Sequence, residues 1–234
     1  KTGYNEAFII TTEKRDEILS NCANEDERKR TDELIRPILR GRDIKRYGYD
    51  WANLWLINTH NGIKGKLDRI HIEDYPAVKA HLDQYWDKIS TRADKGDTPY
   101  NLRNCAYLDD FSKPKIVWKR IGSILRFSYD DRGCFGLDST CFASGSQLAY
   151  LACVLNSKIG HYLLKDSPCT GTGDLLISVQ AIEPLKIPKA PNDSFDELLC
   201  RILSGSEDAE INSFHAISDL YGFNQEEREY ILRR

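Results

Sequence analysis

In 234 residues the chain has no methionine, no Cys-x-x-Cys pair and no apolar run near the ~20 residues that a membrane span requires. A chain without methionine reads as an interior portion of a longer protein, or as a sequence that has lost its methionines. In the second case some spacings are one residue short, and an intact mass would tell the two apart. The opening "KTGYNEAFII" has neither a signal peptide nor an initiator residue. The seven cysteines are odd in number and lack the paired spacing that closes a zinc tetrahedron. They are expected as mostly buried free thiols in a reducing cytoplasm.

Catalytic signatures are missing as well. There is no Gly-x-x-x-x-Gly-Lys-Ser/Thr loop and no Gly-x-Ser-x-Gly elbow, and the five histidines never fall at His-x-x-x-His spacing. "GTG" at 171–173 lacks the third glycine of a dinucleotide loop and is expected as a turn. Adjacent acids in "IEDY" (72–75) and "YLDD" (107–110) could hold magnesium in a nuclease. The Asp and acid-x-Lys triplet of such a core does not assemble, so these acids are expected in solvent.

What the chain does have is patchy charge. A net charge of −3 conceals eight basic residues against three acidic ones over 28–46. Residues 111–129 add five basic residues and no acid, whereas 193–234 carry ten acidic and four basic ones. Such clustering lets a chain with an acidic pI grip a polyanion locally. In "IRPILRGRDIKRYGYD" (35–50) the cations stand among apolar residues, and charge alone leaves two readings, a solvated helix end or an anion grip.

The pattern predicts an α+β fold, a mixed twisted sheet with flanking helices and a short helical C-terminal tail. A strand is expected over 7–10, helices over 12–22 and 31–39, and a strand within 52–60. Pro76 suits the first turn of a helix over 75–89, with Asp74 as its cap. Residues 115–121 and 124–130 read as a strand pair, "CFGLDSTCFAS" as a further strand, and 146–164 as one long helix. Pro188 and Pro191 close this region. The expected division is 1–190 and a helical extension over 191–234.

Several separated segments then resemble a known family, in one order: "KTGYNEAFII", "IRPILRGRDIKRY", "WLINTHNGI", "YPAVKAHLDQY", "DTPYNLRNCAYLDDFSKPKIVWKRI", "YLACVLNSKIGHYLL" and "IEPLKIPKAP". They look like the TaqI-like C-terminal specificity domain, the target recognition domain of adenine-specific DNA methyltransferases and type IIG restriction-modification enzymes. "LNSKIG … LKIPKAP" is also similar to the end of target recognition domains in type I specificity subunits.

The resemblance implies a module that recognises double-stranded DNA and is not itself catalytic. It positions a methyltransferase domain of the same polypeptide, which binds S-adenosylmethionine and carries Asn/Asp-Pro-Pro-Tyr/Phe; a restriction enzyme of this kind would also use magnesium. Neither that motif nor a glycine-rich cofactor loop occurs in these residues. Arg40, Arg42, Lys45 and Arg46 are the first candidates for phosphate and base contacts, with Gly41 turning the backbone. Lys64, Lys66, Asn101, Arg103, Lys115, Lys119 and Arg120 form a second group. Asn58, His60 and Asn61 are candidate base-edge readers at a strand-to-loop transition. Two alternatives from other classes remain, a degenerate nuclease site around Asp109 and Asp110, and a protein-interaction module of a phage-defence complex.

Overall fold

The computed structural model describes residues 2–190 and 194–233. Two compact units emerge, one of Lys1–Leu39 with Trp51–Ser112, the other of Arg40–Asp50 with Lys113–Arg234. The fold is α+β with a helical C-terminal tail, as the pattern predicts. Among the described residues, no helix is long and apolar enough to cross a membrane.

The first unit contains α1 (Asn5–Phe8), β1 (Ile9–Thr11), α2 (Thr12–Ser20), α3 (Glu25–Leu34), β2 (Ile35–Leu39), β3 (Leu54–Ile57), α4 (Pro76–Asp83) and α5 (Trp86–Ile89). Strand β3 lies between β1 and β2, antiparallel to both, with Trp55 opposite Ile10 on one side and Pro37 on the other. The helix expected over 31–39 is therefore wrong in its second half, because α3 ends at Leu34 and 35–39 is strand. Pro37 has no N–H to give and its ring would clash with the preceding helical turn, so the chain leaves the helix two residues earlier. The strand expected over 7–10 likewise begins as the helical turn α1.

Helix ends in this unit follow the side chains available. Thr11 and Asn24 cap α2 and α3 by accepting the backbone N–H of Lys14 and Glu27. Buried Glu27 spends its carboxylate on two more orphan donors, the N–H groups of Ala23 and Ala77 at 2.8 and 2.9 Å. Pro76 does open α4, but the residue at the cap is Tyr75 rather than Asp74. The helix expected to run to residue 89 breaks after Asp83 and resumes as α5.

In the second unit follow β4 (Lys115–Lys119), β5 (Ile121–Gly122), β6 (Phe127–Asp130), β7 (Phe135–Gly136), β8 (Thr140–Ser144), α6 (Leu148–Asn156), α7 (Lys158–Leu163), β9 (Leu175–Leu176), α8 (Val179–Ile182), α9 (Ser194–Leu203), α10 (Glu207–Tyr221) and α11 (Gln225–Leu232). β4 is the centre of an antiparallel sheet with β6 and β8, and β5 pairs with β9. The segment 40–50 is stitched to β6: Tyr47 N–H donates to Phe127 O, Tyr129 N–H donates to Tyr47 O, and Ser128 Oγ donates to Lys45 O and Gly48 O.

Residues 146–164 form two helices instead of one. Ser157 is extended and caps α7 by accepting the Gly160 N–H. A Cβ on Gly160 would stand 2.2 Å from Val154 O, so only glycine permits this tight join. Buried Asn156 accepts from Phe127 N–H at 3.0 Å and donates to Phe127 O and Ala152 O. The "LNSKIG" run is thus a joint that ties α6 to β6.

The helices from residue 194 onward pack within the second unit. Phe195, Leu199, Phe214, Ile217 and Ile231 share one core with Ile116, Trp118, Phe127 and the buried face of α6. Apolar faces on α9 and α10 are buried there. Pro191, expected to close the mixed region, lies outside the described residues.

Candidate nucleic-acid interface

In the second unit, the four cations of 40–46 differ sharply in what they face. Arg40 is spent on Asp43: its Nη2 lies 2.7 Å from Asp43 Oδ1, and its Nε and backbone N–H reach Oδ2 at 3.0 and 2.8 Å. The hydrogen bond to this carboxylate raises the Arg40 pKa further. Asp43 is buried, which answers why an acid sits in a basic patch: it organises the turn. Lys45 reaches Asp50 at 3.2 Å on the surface. Arg46 donates to Asn156 O at 3.0 Å and to the Glu210 carboxylate. Arg42 is exposed and has no ion pair or side-chain hydrogen bond among the described residues.

Lys119 and Arg120, at the end of β4, are also exposed and without a carboxylate partner among the described residues. The Lys119 stem lies against Gly41, since a Cβ at Gly41 would stand 3.0 Å from Lys119 Cγ. The backbone does turn at Gly41, where Asp43 N–H donates to Arg40 O at 2.9 Å, and the missing side chain also makes room for the lysine stem. Arg42, Lys119 and Arg120 are the unspent cations of this unit's expected set.

Lys115 leaves the set altogether. It is fully buried, and its Nζ donates to Asp130 Oδ2 at 2.6 Å; Asp130 also accepts from Tyr49 Oη and from the Cys134 N–H. A cation enclosed beside its counter-ion cannot meet a phosphate. Burial, followed by the charge of Asp130, pushes the Cys134 thiol up to about 11.

In the first unit, the loops after β3 and after α5 form a polar cluster. Asn101 is buried, donates to His60 O and Ile70 O, and accepts from Thr98 Oγ1. Its assignment as a DNA contact is corrected to that of a loop tie, because its amide is already occupied. Asn58 is likewise buried. Asn61 donates to Asp97 and Asn104 and accepts the Asp97 N–H, so it too is engaged within the cluster. His60 accepts the Gly62 N–H at Nδ1, and burial lowers its pKa.

Buried Arg92 lies beneath these loops and donates to the carbonyls of Thr2, Asp94, Pro99 and Asn101. Its sequence neighbourhood gives no hint of this, because nothing local distinguishes it from a surface arginine. At the surface, Lys66 pairs with Asp109 and Arg103 with Asp94 at 3.4 Å. Lys64 is exposed and has no carboxylate partner among the described residues.

Among the described residues, no three of His, Cys, Asp and Glu gather closely enough to hold a metal ion. The 171–173 glycines sit in a turn closed by its own side chains, with Asp174 N–H donating to Thr170 Oγ1 and the two threonine hydroxyls 2.8 Å apart. A family model described as the TaqI-like C-terminal specificity domain matches residues 36–175, more than half of the sequence, and the chain belongs to that family.

Proposed function

We propose that this chain reads duplex DNA for a bacterial restriction-modification enzyme of the adenine-methylating kind, in the cytoplasm. It would hold the target so that a separate S-adenosylmethionine-dependent domain of the same polypeptide, together with any magnesium-dependent nuclease part, acts at the correct place. The observation that carries this reading is the specificity-domain match over a segment whose cations Arg42, Lys119 and Arg120 are exposed and unspent.

The physical division of labour follows from charge and geometry. Exposed Lys and Arg side chains displace counterions from phosphates and set the register of the duplex. Side chains that then reach base edges each discriminate by ~1–3 kcal/mol. Removing an adenine from the stack costs a few kcal/mol, and interactions made only at the matching sequence offset it. Lys64 belongs with the exposed group; Lys45, Lys66 and Arg103 could join by exchanging surface carboxylates for phosphates, since such exposed pairs are worth only ~0–1 kcal/mol.

The test is a triple substitution, Arg42→Ala with Lys119→Ala and Arg120→Ala. Affinity for duplex DNA should fall at every sequence, and the slope of log K against log salt should shrink by about one for each phosphate no longer neutralised. Thermal stability should hold, because none of the three is buried. An unchanged affinity and slope would refute the reading.

A further inference from the structure

A cavity of about 290 Å³ in the second unit is lined by Lys158, His161, Tyr162 and Lys165 from α7 and its C-terminal edge, and by Tyr230 of α11. The volume is at the lower end of small-ligand sites, enough for a phosphate with part of a sugar or ring. None of its lining residues belongs to the cation set around Gly41. We infer that this cavity is a phosphate-ester site, occupied by a backbone phosphate of bound DNA or by a free nucleotide. Its DNA-borne form rests on the function proposed above.

Four observations carry the assignment. First, three nitrogen-bearing side chains at positions 158, 161 and 165 recur at helical spacing along the lining, with no acid among the described lining residues. Second, Lys158 has no carboxylate partner among the described residues, and Lys165 has only the highly exposed Asp166 at 3.7 Å. Third, His161 sets an imidazole between the two lysines in the lining. Fourth, the rim is aromatic: Tyr162 and Tyr230 meet edge to face at 6.1 Å, and the Lys165 ammonium lies 4.5 Å from the Tyr162 ring centroid.

The surrounding charges agree with an anionic occupant. Burial first, then Arg46 and Lys158, lower the His161 pKa, so the imidazole already feels two cations. Of the acids on α11, Glu227 is committed to the cap at Asn224 and Glu229 to Gln225 and Arg233, leaving Glu226 on the exposed surface. The tyrosine rings offer a flat surface to the adjoining sugar or base.

The experiment compares the wild-type chain, a Lys158→Ala/Lys165→Ala variant and an Arg42→Ala variant. One arm titrates inorganic phosphate and dAMP while following the His161 imidazole resonance; the other measures duplex DNA affinity against salt. A saturable His161 shift with dAMP, abolished in the pocket variant and kept in Arg42→Ala, supports the site with a free nucleotide as occupant. An affinity loss on the order of tenfold, with a salt slope reduced by about two in the pocket variant, supports a backbone phosphate. No saturable shift together with unchanged DNA affinity overturns the inference. A wild-type chain that fails to bind any DNA refutes the proposed function, and the phosphate and dAMP titrations then decide the cavity by themselves.

Discussion

The two units each enclose a cation, and they satisfy it in opposite ways. In the first, Arg92 fans its guanidinium across four backbone carbonyls from three chain segments. In the second, Lys115 is neutralised by one carboxylate, Asp130, which also gathers Tyr49 and the turn at 132–134. Arginine suits the first task because its fork reaches several acceptors at once, and lysine suits the second because it is a compact point charge. Burial lowers the Arg92 pKa to about 10, which still leaves it charged at neutral pH. In this family member, then, a basic residue is assigned to scaffold or surface by its burial, not by the charge run in which it occurs.

The largest effect should come from breaking the lysine solution. Lys115→Ala strands Asp130 in the core and should cost about 3–5 kcal/mol, whereas Lys115→Met with Asp130→Asn should recover part of that loss. Denaturant midpoints check both, and a single variant as stable as wild type would erase the difference between the two solutions. Arg92→Lys keeps the charge but cannot span four carbonyls. It should cost about 1–3 kcal/mol, with faster hydrogen exchange concentrated in 94–104. Uniform exchange across the first unit would mean that Arg92 does not organise those loops.

The smallest expected effect is on acidification, and it involves both units. His60, His81 and His161 all have pKa values lowered below their usual 6.5, in each case mainly by burial. The unfolded chain therefore takes up protons before the folded one does. Stability is fully present above about pH 6.5 and declines as pH falls through the depressed folded values. The melting temperature should drop by about 2–4 °C for each kcal/mol lost. His81→Gln should soften that decline, since its ring is held at Nε2 by Ala7 O in the interior; a pH profile identical to wild type would exclude His81 from the effect.

Much of the framework could be read from residue order. The α+β class, Pro76 in the first turn of α4, the hairpin of β4 and β6, and the terminal helices follow from period and turn chemistry. Where reading failed, the local signal was ambiguous. "TDELIRPIL" carries a helical pattern up to Leu34, and only the partner strand β3 tells that Ile35 pairs with Ile57. Residues 146–164 keep a helical period straight through Ser157, and the break depends on Asn156 meeting Phe127, 29 residues away.

The candidate surface shows the same split. Basic enrichment over 28–46 and 111–129 is visible in the residues themselves, as is the family's order of motifs. Which cations stay available is not, because their partners are distant in sequence: Glu210 is 164 residues from Arg46, and Asp109 is 43 from Lys66. Composition, local periodicity and motif order were enough to mark an α+β specificity-domain chain with basic patches and no catalytic signature. It took the folded arrangement to make Lys115, Asn58 and Asn101 interior, to commit Arg40 to Asp43, and to leave Arg42, Lys119 and Arg120 facing solvent unspent. Burial and pairing are properties of side chains brought together from distant positions, and that proximity exists only once the chain has folded.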